Sequence, residues 1–399
     1  MERRDNPMTI TALVSLRGAL TLAELDAVVR ARLLTRPRFC ERVVEHTVAG
    51  PRWEPDDAFD LRAHVHHVAL PSPGDRGALE ELLGDLASTA LDPRIPLWQM
   101  HLVDNVGEGS ALVVRVHHVI ADGLALVDVL LALTDEGPRG WTPPAPVVPP
   151  RNGRLAALAP VAGFASLVLS GAEPATALTA HHGAHKHLAW TRGFDLAALK
   201  RVARSRGVGV TAAILALVTG ALRRALMARQ TVDDSLVVRA MVPLSVRASG
   251  ERASSGNRYA SVFVGLPVGI DDADERLAEV ARRLGRVRVA GGLSLGRALV
   301  RIAARVGALV ERIGVSVLSR RASLVVSNVP GPGEGGHLDG RPITSVVAFA
   351  PVTGELGLGV TFFGYGSRVS VGVASGLEAP SLAREVVDGI ARECESLGV

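Results

Sequence analysis

Hydrophobic positions along this chain alternate between a period near two and a period near 3.6, and that alternation runs through two halves. Residues 8–17 are mostly apolar with some alternation and predict a first strand. Residues 21–34 carry Leu22, Leu25, Val28, Val29 and Leu33 at helical spacing, with Thr21 as N-cap and Glu24 three residues later. Residues 43–53 read as strands turning at Gly50-Pro51, and residues 59–70 as a strand-like stretch holding His64, His66 and His67. A helix is predicted over 78–91, then strands over 95–103 and 111–116. The second half restarts with helices over 194–205, capped by Asp195, and 211–229. Strands follow over 235–242 and 260–268, then a helix over 274–290. A strand opening at Ser323, three more over 343–349, 358–363 and 369–373, and a closing helix over 381–397 complete the pattern.

Between the halves, residues 136–151 are rich in Pro and Gly and read as a crossing segment. The expected division is therefore an N-terminal domain over 1–140, a linker over 141–188 and a C-terminal domain over 189–399. The 399 residues suffice for two domains with substantial cores. Of the chain, 48% is hydrophobic but only 4% aromatic, so the core must be built from Val, Leu, Ile and Ala, as suits an α/β protein. The formal net charge of +4 is compatible with an anionic substrate or membrane surface, and it compels neither. No aromatic-studded basic stretch speaks for nucleic acid. Cys40 and Cys394 lack metal-ligand spacing and make no disulfide framework, so a reducing cytoplasm is the expectation. The histidines over 181–187 have no acidic or cysteine residue among them and read as an exposed loop rather than a metal site. Over 296–321, arginines interleave with Leu, Val and Ile. This basic amphipathic helix either lays its apolar stripe on the core or lies on the inner face of a membrane.

One stretch carries chemistry. His117-His118-Val119-Ile120-Ala121-Asp122-Gly123 stands between the apolar run 111–116 and a helical run over 124–131. Imidazole is costly to bury without partners, so two histidines at the exit of a core strand are unusual. The Asp-Gly step turns the chain, with Asp122 as a helix cap and Gly123 allowing close approach. A histidine at the lip of a sheet is placed where a general base is useful. No serine or cysteine nucleophile elbow is present, which speaks against a covalent intermediate on such a side chain.

This motif resembles the HHxxxDG signature of CoA-dependent acyltransferases and peptide-synthetase condensation domains. Its flanks are similar to those of the bacterial wax ester synthase / diacylglycerol acyltransferase family: Phe59-Asp60-Leu61, Leu91-Asp92 followed by Pro96-Leu97-Trp98, Met241-Val242-Pro243-Leu244-Ser245-Val246-Arg247, Gly256-Asn257 and Ser327-Asn328-Val329-Pro330-Gly331-Pro332. The resemblance implies an α/β (α+β) fold of two chloramphenicol-acetyltransferase-like domains, each a mixed sheet with flanking helices, and a tunnel at their interface. It implies transfer of a fatty acyl group from acyl-CoA, as substrate and without a further cofactor or metal, to diacylglycerol or a long-chain alcohol. His118 would be the base. His117, Asp122, Gly123 and Arg247 would shape the site, with Asp122 paired to Arg247. Ser327, Asn328 and Asn257 would bind substrate or the oxyanion. A membrane or lipid-droplet surface would be the partner. Two departures stand out: Thr211-Ala212 occupies the place of a common Asn-Asp pair, and Ala125 that of a small hydroxyl residue. The competing functions are a condensation-type enzyme using a carrier-protein thioester and a non-catalytic lipid-binding homologue.

Overall fold

The computed structural model describes residues 7–46, 50–107, 109–138, 141, 171, 173–180, 182–245, 259–289, 321–352 and 356–399. In chain order, β1 (Thr9–Arg17) and α1 (Leu22–Val28) lead to a hairpin of β2 (Glu41–His46) and β3 (Gly50–Pro55). Then come β4 (Val65–Ala69), α2 (Arg76–Ser88), β5 (Trp98–Val106), β6 (Gly109–His117) and α3 (Gly123–Leu133). Next are β7 (His182–Trp190), β8 (Phe194–Asp195), α4 (Leu196–Ser205), α5 (Val210–Met227), β9 (Val238–Ser245), β10 (Tyr259–Leu266) and α6 (Ala273–Val289). The chain closes with β11 (Leu324–Val329), β12 (His337–Leu338), β13 (Arg341–Phe349), β14 (Leu358–Tyr365), β15 (Arg368–Leu377) and α7 (Leu382–Leu397).

Two mixed sheets with flanking helices make an α+β fold. The first has the order β12-β13-β1-β6-β5-β4, antiparallel except between β4 and β5. The second has the order β10-β9-β11-β14-β15-β7, with β8 also on β15 and β11 parallel to both its neighbours. The sheets do not cut the chain at one place. β12 and β13 come from the C-terminal half, yet β13 pairs along β1 in the first sheet. Without them the buried strand β1 would present an open edge, which sheets generally cover or blunt.

Each sheet buries one face under helices. On the first, Leu25 and Val28 of α1 and Leu126 and Leu130 of α3 pack with Ala12, Val14, Leu112 and Val114. On the second, α5 and α7 supply Leu215, Leu222, Val386 and Ile390 against Val326, Val360 and Val373. The helix α5 is long and apolar enough to cross a bilayer, but 72% of its apolar window is buried inside the fold, so it works as a core helix. Between the sheets, Leu13, Val113 and Phe349 meet Leu188 and Ala374. A side chain at Gly372 of β15 would collide with the Ala348 carbonyl of β13, so glycine there lets the two sheets touch.

Local rules hold where the pattern is strong. Thr21 and Glu24 form a reciprocal capping box, with the Thr21 N–H donating to Glu24 Oε2 at 2.8 Å. Asp195 caps α4, accepting from the Ala197 N–H at 2.7 Å. Three expectations are corrected. Gly50-Pro51 is not the hairpin turn: it opens β3, with Gly50 opposite His46. Residues 59–70 are a 3-10 turn at Leu61–Ala63 and a short strand, because His64 is drawn out of strand geometry to stack on Trp98 with ring centroids 4.5 Å apart. The histidines over 182–187 belong to edge strand β7, not to a loop. Lys186 there is buried, so the inward face is not marked by an apolar residue at that position. The arginine-rich stretch over 296–320 and nearly all of the Pro-rich crossing lie outside the described residues.

Candidate active site

β6 is buried from Ser110 to Val116 and leaves the sheet at the histidine pair. Two backbone bonds fix this exit. The His117 N–H donates to the Leu97 carbonyl at 3.0 Å, and the His118 N–H to the Met8 carbonyl at 2.8 Å. The turn is tightened by the His117 ring, whose Nδ1 accepts the Val119 N–H at 3.1 Å. Asp122 is buried and caps α3, its Oδ1 accepting the Ala125 N–H at 2.9 Å. A Cβ at Gly123 would lie 3.0 Å from Val329 Cγ2, so the glycine lets the end of β11 come close to the start of α3.

His118 is half-buried. Its ring bonds its own backbone carbonyl, and only Nδ1 is near enough to the main chain to do so. With Nδ1 as donor, the neutral ring carries its basic lone pair on Nε2. Burial pushes the His118 pKa down, and His117 adds to this; the backbone bond and the Asp122 charge pull it back up without reversing the direction. The imidazole is therefore neutral near pH 7, which a base requires.

The ring lies on the wall of a cavity of about 580 Å³. That is within the roughly 300–1,000 Å³ of typical ligand pockets. Asp122 and Gly123 share this wall with apolar residues of α5 (Ile214, Leu215) and with Phe349 of β13. Ser327 and Asn328 reach it from β11, opposite Thr361 and Phe362 of β14. Past β11 the chain turns at Pro330-Gly331, where a side chain on Gly331 would collide with the Gly364 carbonyl. Elements of both sheets thus meet around one space.

The structure brings together His118, Asp122, Gly123, Ser327 and Asn328. His117 does not line the cavity, and Arg247 and Asn257 lie outside the described residues. Thr211, at the place of the departure from the Asn-Asp pair, is on the cavity wall at the start of α5, whereas Ala125 is buried in α3. Met8, within the stretch Asn6-Pro7-Met8-Thr9-Ile10-Thr11 that also resembles the family, holds the His118 backbone through its carbonyl, and Lys200 of α4, which carries no motif, lines the cavity. The one sequence signal for Lys200 is rarity, since Lys186 and Lys200 are the only lysines in the chain.

A neutral imidazole thus stands on a largely apolar wall where elements of two mixed sheets meet. The description "Wax ester synthase/diacylglycerol acyltransferase catalytic domain" matches residues 1–267, and "WS/DGAT C-terminal domain" matches residues 255–397. The chain is 27% identical over 377 residues to "Probable diacyglycerol O-acyltransferase tgs1" of Mycobacterium tuberculosis H37Rv, covering 86% of this chain and 81% of that one. It is 30% identical over 319 residues to tgs2 of the same strain, also named a diacylglycerol O-acyltransferase, covering 71% and 70%. The fold is similar to that of the wax ester synthase/diacylglycerol acyltransferase from Marinobacter aquaeolei VT8, with a TM-score of 0.70, 19% identity, and coverage of 100% of this chain and 97% of that one. The chain belongs to the wax ester synthase/diacylglycerol acyltransferase family. It is an acyl-CoA-dependent O-acyltransferase that acts on lipid acceptors.

Proposed function

We propose that this protein transfers a fatty acyl group from acyl-CoA to diacylglycerol or a long-chain alcohol, with His118 as general base, in a tunnel between two chloramphenicol-acetyltransferase-like domains. The observation that carries the reading is the half-buried His118 ring on the wall of the shared apolar cavity. In the reaction, His118 Nε2 takes the proton of the acceptor hydroxyl as its oxygen bonds to the thioester carbon. The C–S bond then breaks, and the imidazolium returns the proton to the CoA thiolate. Charge on the carbonyl oxygen is met by donors at the end of β11, where Ser327 and Asn328 line the cavity. Asp122 holds the start of α3 and its charge favours the imidazolium. His117 shapes the turn, and Gly123 lets the two domains approach. Arg247 as the partner of Asp122, and Asn257 beside the substrate, complete the reading on family resemblance.

The deciding experiment measures CoA release from palmitoyl-CoA with hexadecanol, with dioleoylglycerol and without acceptor. Release that rises with an acceptor, matched by ester, is expected. Release equal in all three conditions contradicts the reading.

The acidic limb of kcat/KM follows His118. Its pKa lies below the ordinary 6.5, so activity falls only as pH drops through that lower value. Asp122→Asn keeps a capping side chain but removes the charge that raises this pKa. The limb then moves to still lower pH. A limb that stays in place, or moves up, contradicts the coupling.

The interleaved arginines over 296–321 support attachment to an anionic membrane or lipid-droplet surface. Reversing Arg301, Arg305 and Arg312 to Glu is expected to abolish flotation with anionic vesicles. Undiminished flotation would leave the core-facing alternative standing.

A further inference from the structure

The cavity wall is largely apolar, with three ionisable side chains among its described residues: His118, Asp122 and Lys200. The first two belong to the histidine turn. Lys200 stands apart on α4 and is exposed, so the cavity has a mouth there; Asn328 and Gly333, exposed on the same wall, mark a second opening past the end of β11. Among the described residues the Lys200 side chain has no ion pair or hydrogen bond, in contrast to the neighbouring Arg206, which pairs with Asp274 at 2.7 Å. The other lysine of the chain, Lys186, is buried and bonds the Gly183 carbonyl at 3.4 Å. The mouth at Lys200 is bounded by Leu196 and Leu199 of α4, Thr211 at the start of α5, and Gly366 in the turn between β14 and β15. That turn is tied to α4 by the Leu196 N–H donating to the Ser367 carbonyl at 2.9 Å. The cavity thus runs from the histidine turn to a mouth at which Lys200 is the one cation among the described lining residues. Elsewhere its described wall is apolar at Met241, Val325, Ala350 and Leu356 and carries only uncharged polar groups, Ser261, Ser327, Asn328 and Thr361.

The two substrates differ in charge. Acyl-CoA carries a 3′-phosphate and a diphosphate at the end away from its thioester, whereas the lipid acceptor is neutral. A lysine serves such phosphates as a flexible point charge. We propose that the α4 mouth admits the acyl-CoA donor, that Lys200 pairs with its phosphates, and that the acceptor reaches His118 from the uncharged side. This rests on the acyltransferase reading and gives the cavity a direction.

The test compares the full-length protein with Lys200→Gln, Lys200→Glu and a distal control, Arg52→Glu, on the exposed hairpin. Each is assayed with palmitoyl-CoA and with palmitoyl-N-acetylcysteamine, a thioester that lacks the nucleotide and its phosphates. Replacing one screened attraction by a repulsion raises KM for palmitoyl-CoA about tenfold in Lys200→Glu, and less in Lys200→Gln. KM for the truncated donor, KM for the acceptor and the control variant stay within about twofold of wild type, the scatter expected where no charge contact is lost. Salt raises KM for palmitoyl-CoA more in wild type than in Lys200→Glu. Equal rises for both donors, a rise for the acceptor instead, or no change would overturn the assignment. Calorimetry with CoA alone separates this from the reaction: weaker CoA binding by Lys200→Glu supports the mouth even where wild type forms no ester, and unchanged binding overturns it.

Discussion

His118→Ala lowers turnover of palmitoyl-CoA with a lipid alcohol by about 10²–10⁴-fold, the usual contribution of a positioned general base. KM for acyl-CoA stays within a few-fold, because the ring acts on the proton in the transition state and adds little to ground-state binding. The folded state survives, since the bonds that hold this turn run through backbone groups: His118 N–H to Met8, and Ala125 N–H to the Asp122 cap. Circular dichroism of the variant beside its ester yield, measured as radiolabelled product, checks both halves. An ester yield within a few-fold of wild type sinks the assignment.

Trp98→Ala lowers stability by about 3–5 kcal/mol, the range for removing a buried large aromatic side chain. Trp98 is 1% exposed at the start of β5. Its Nε1 donates to the Phe39 carbonyl at 2.9 Å, His64 stacks on it, and Phe39 meets it edge-on at 5.9 Å. The truncation leaves a void among these groups and an unpaired carbonyl. Against a total of about 5–15 kcal/mol for a typical domain, this is a large share. Urea denaturation followed by far-ultraviolet circular dichroism measures it. A midpoint equal to wild type would show that the cluster around β5 is not a support of the first sheet.

These two residues also mark what a sequence exposes. The strand leading to His118 and the helix leaving it are legible because each obeys one period and the Asp122 cap has a distinct chemistry. Thr21 with Glu24 and Asp195 before α4 are legible for the same reason. Pairing across long separation is not. Nothing in the alternation over 343–349 says that β13 closes the sheet begun by β1, because an apolar strand carries no label for its partner. β7 was hidden by chemistry of the opposite kind: it buries Lys186, so its inner face does not read as apolar. His64 misled in a third way, since a histidine within a strand-like stretch leaves that geometry to stack between Phe59 and Trp98. At the cavity, the motif residues were visible and Lys200 was not. A lone exposed lysine on an amphipathic helix reads as solvated surface until the sheet behind it is known to enclose a space.

The proton-transfer role proposed for His118 is tested most directly by titrating it. With labelled histidine, nuclear magnetic resonance follows the His118 ring, assigned by its loss in His118→Ala, while kcat/KM is recorded over the same pH range. The expected result is one pKa below 6.5 governing both the ring resonance and the acidic limb. A limb at a pH where the His118 resonance does not move would contradict it.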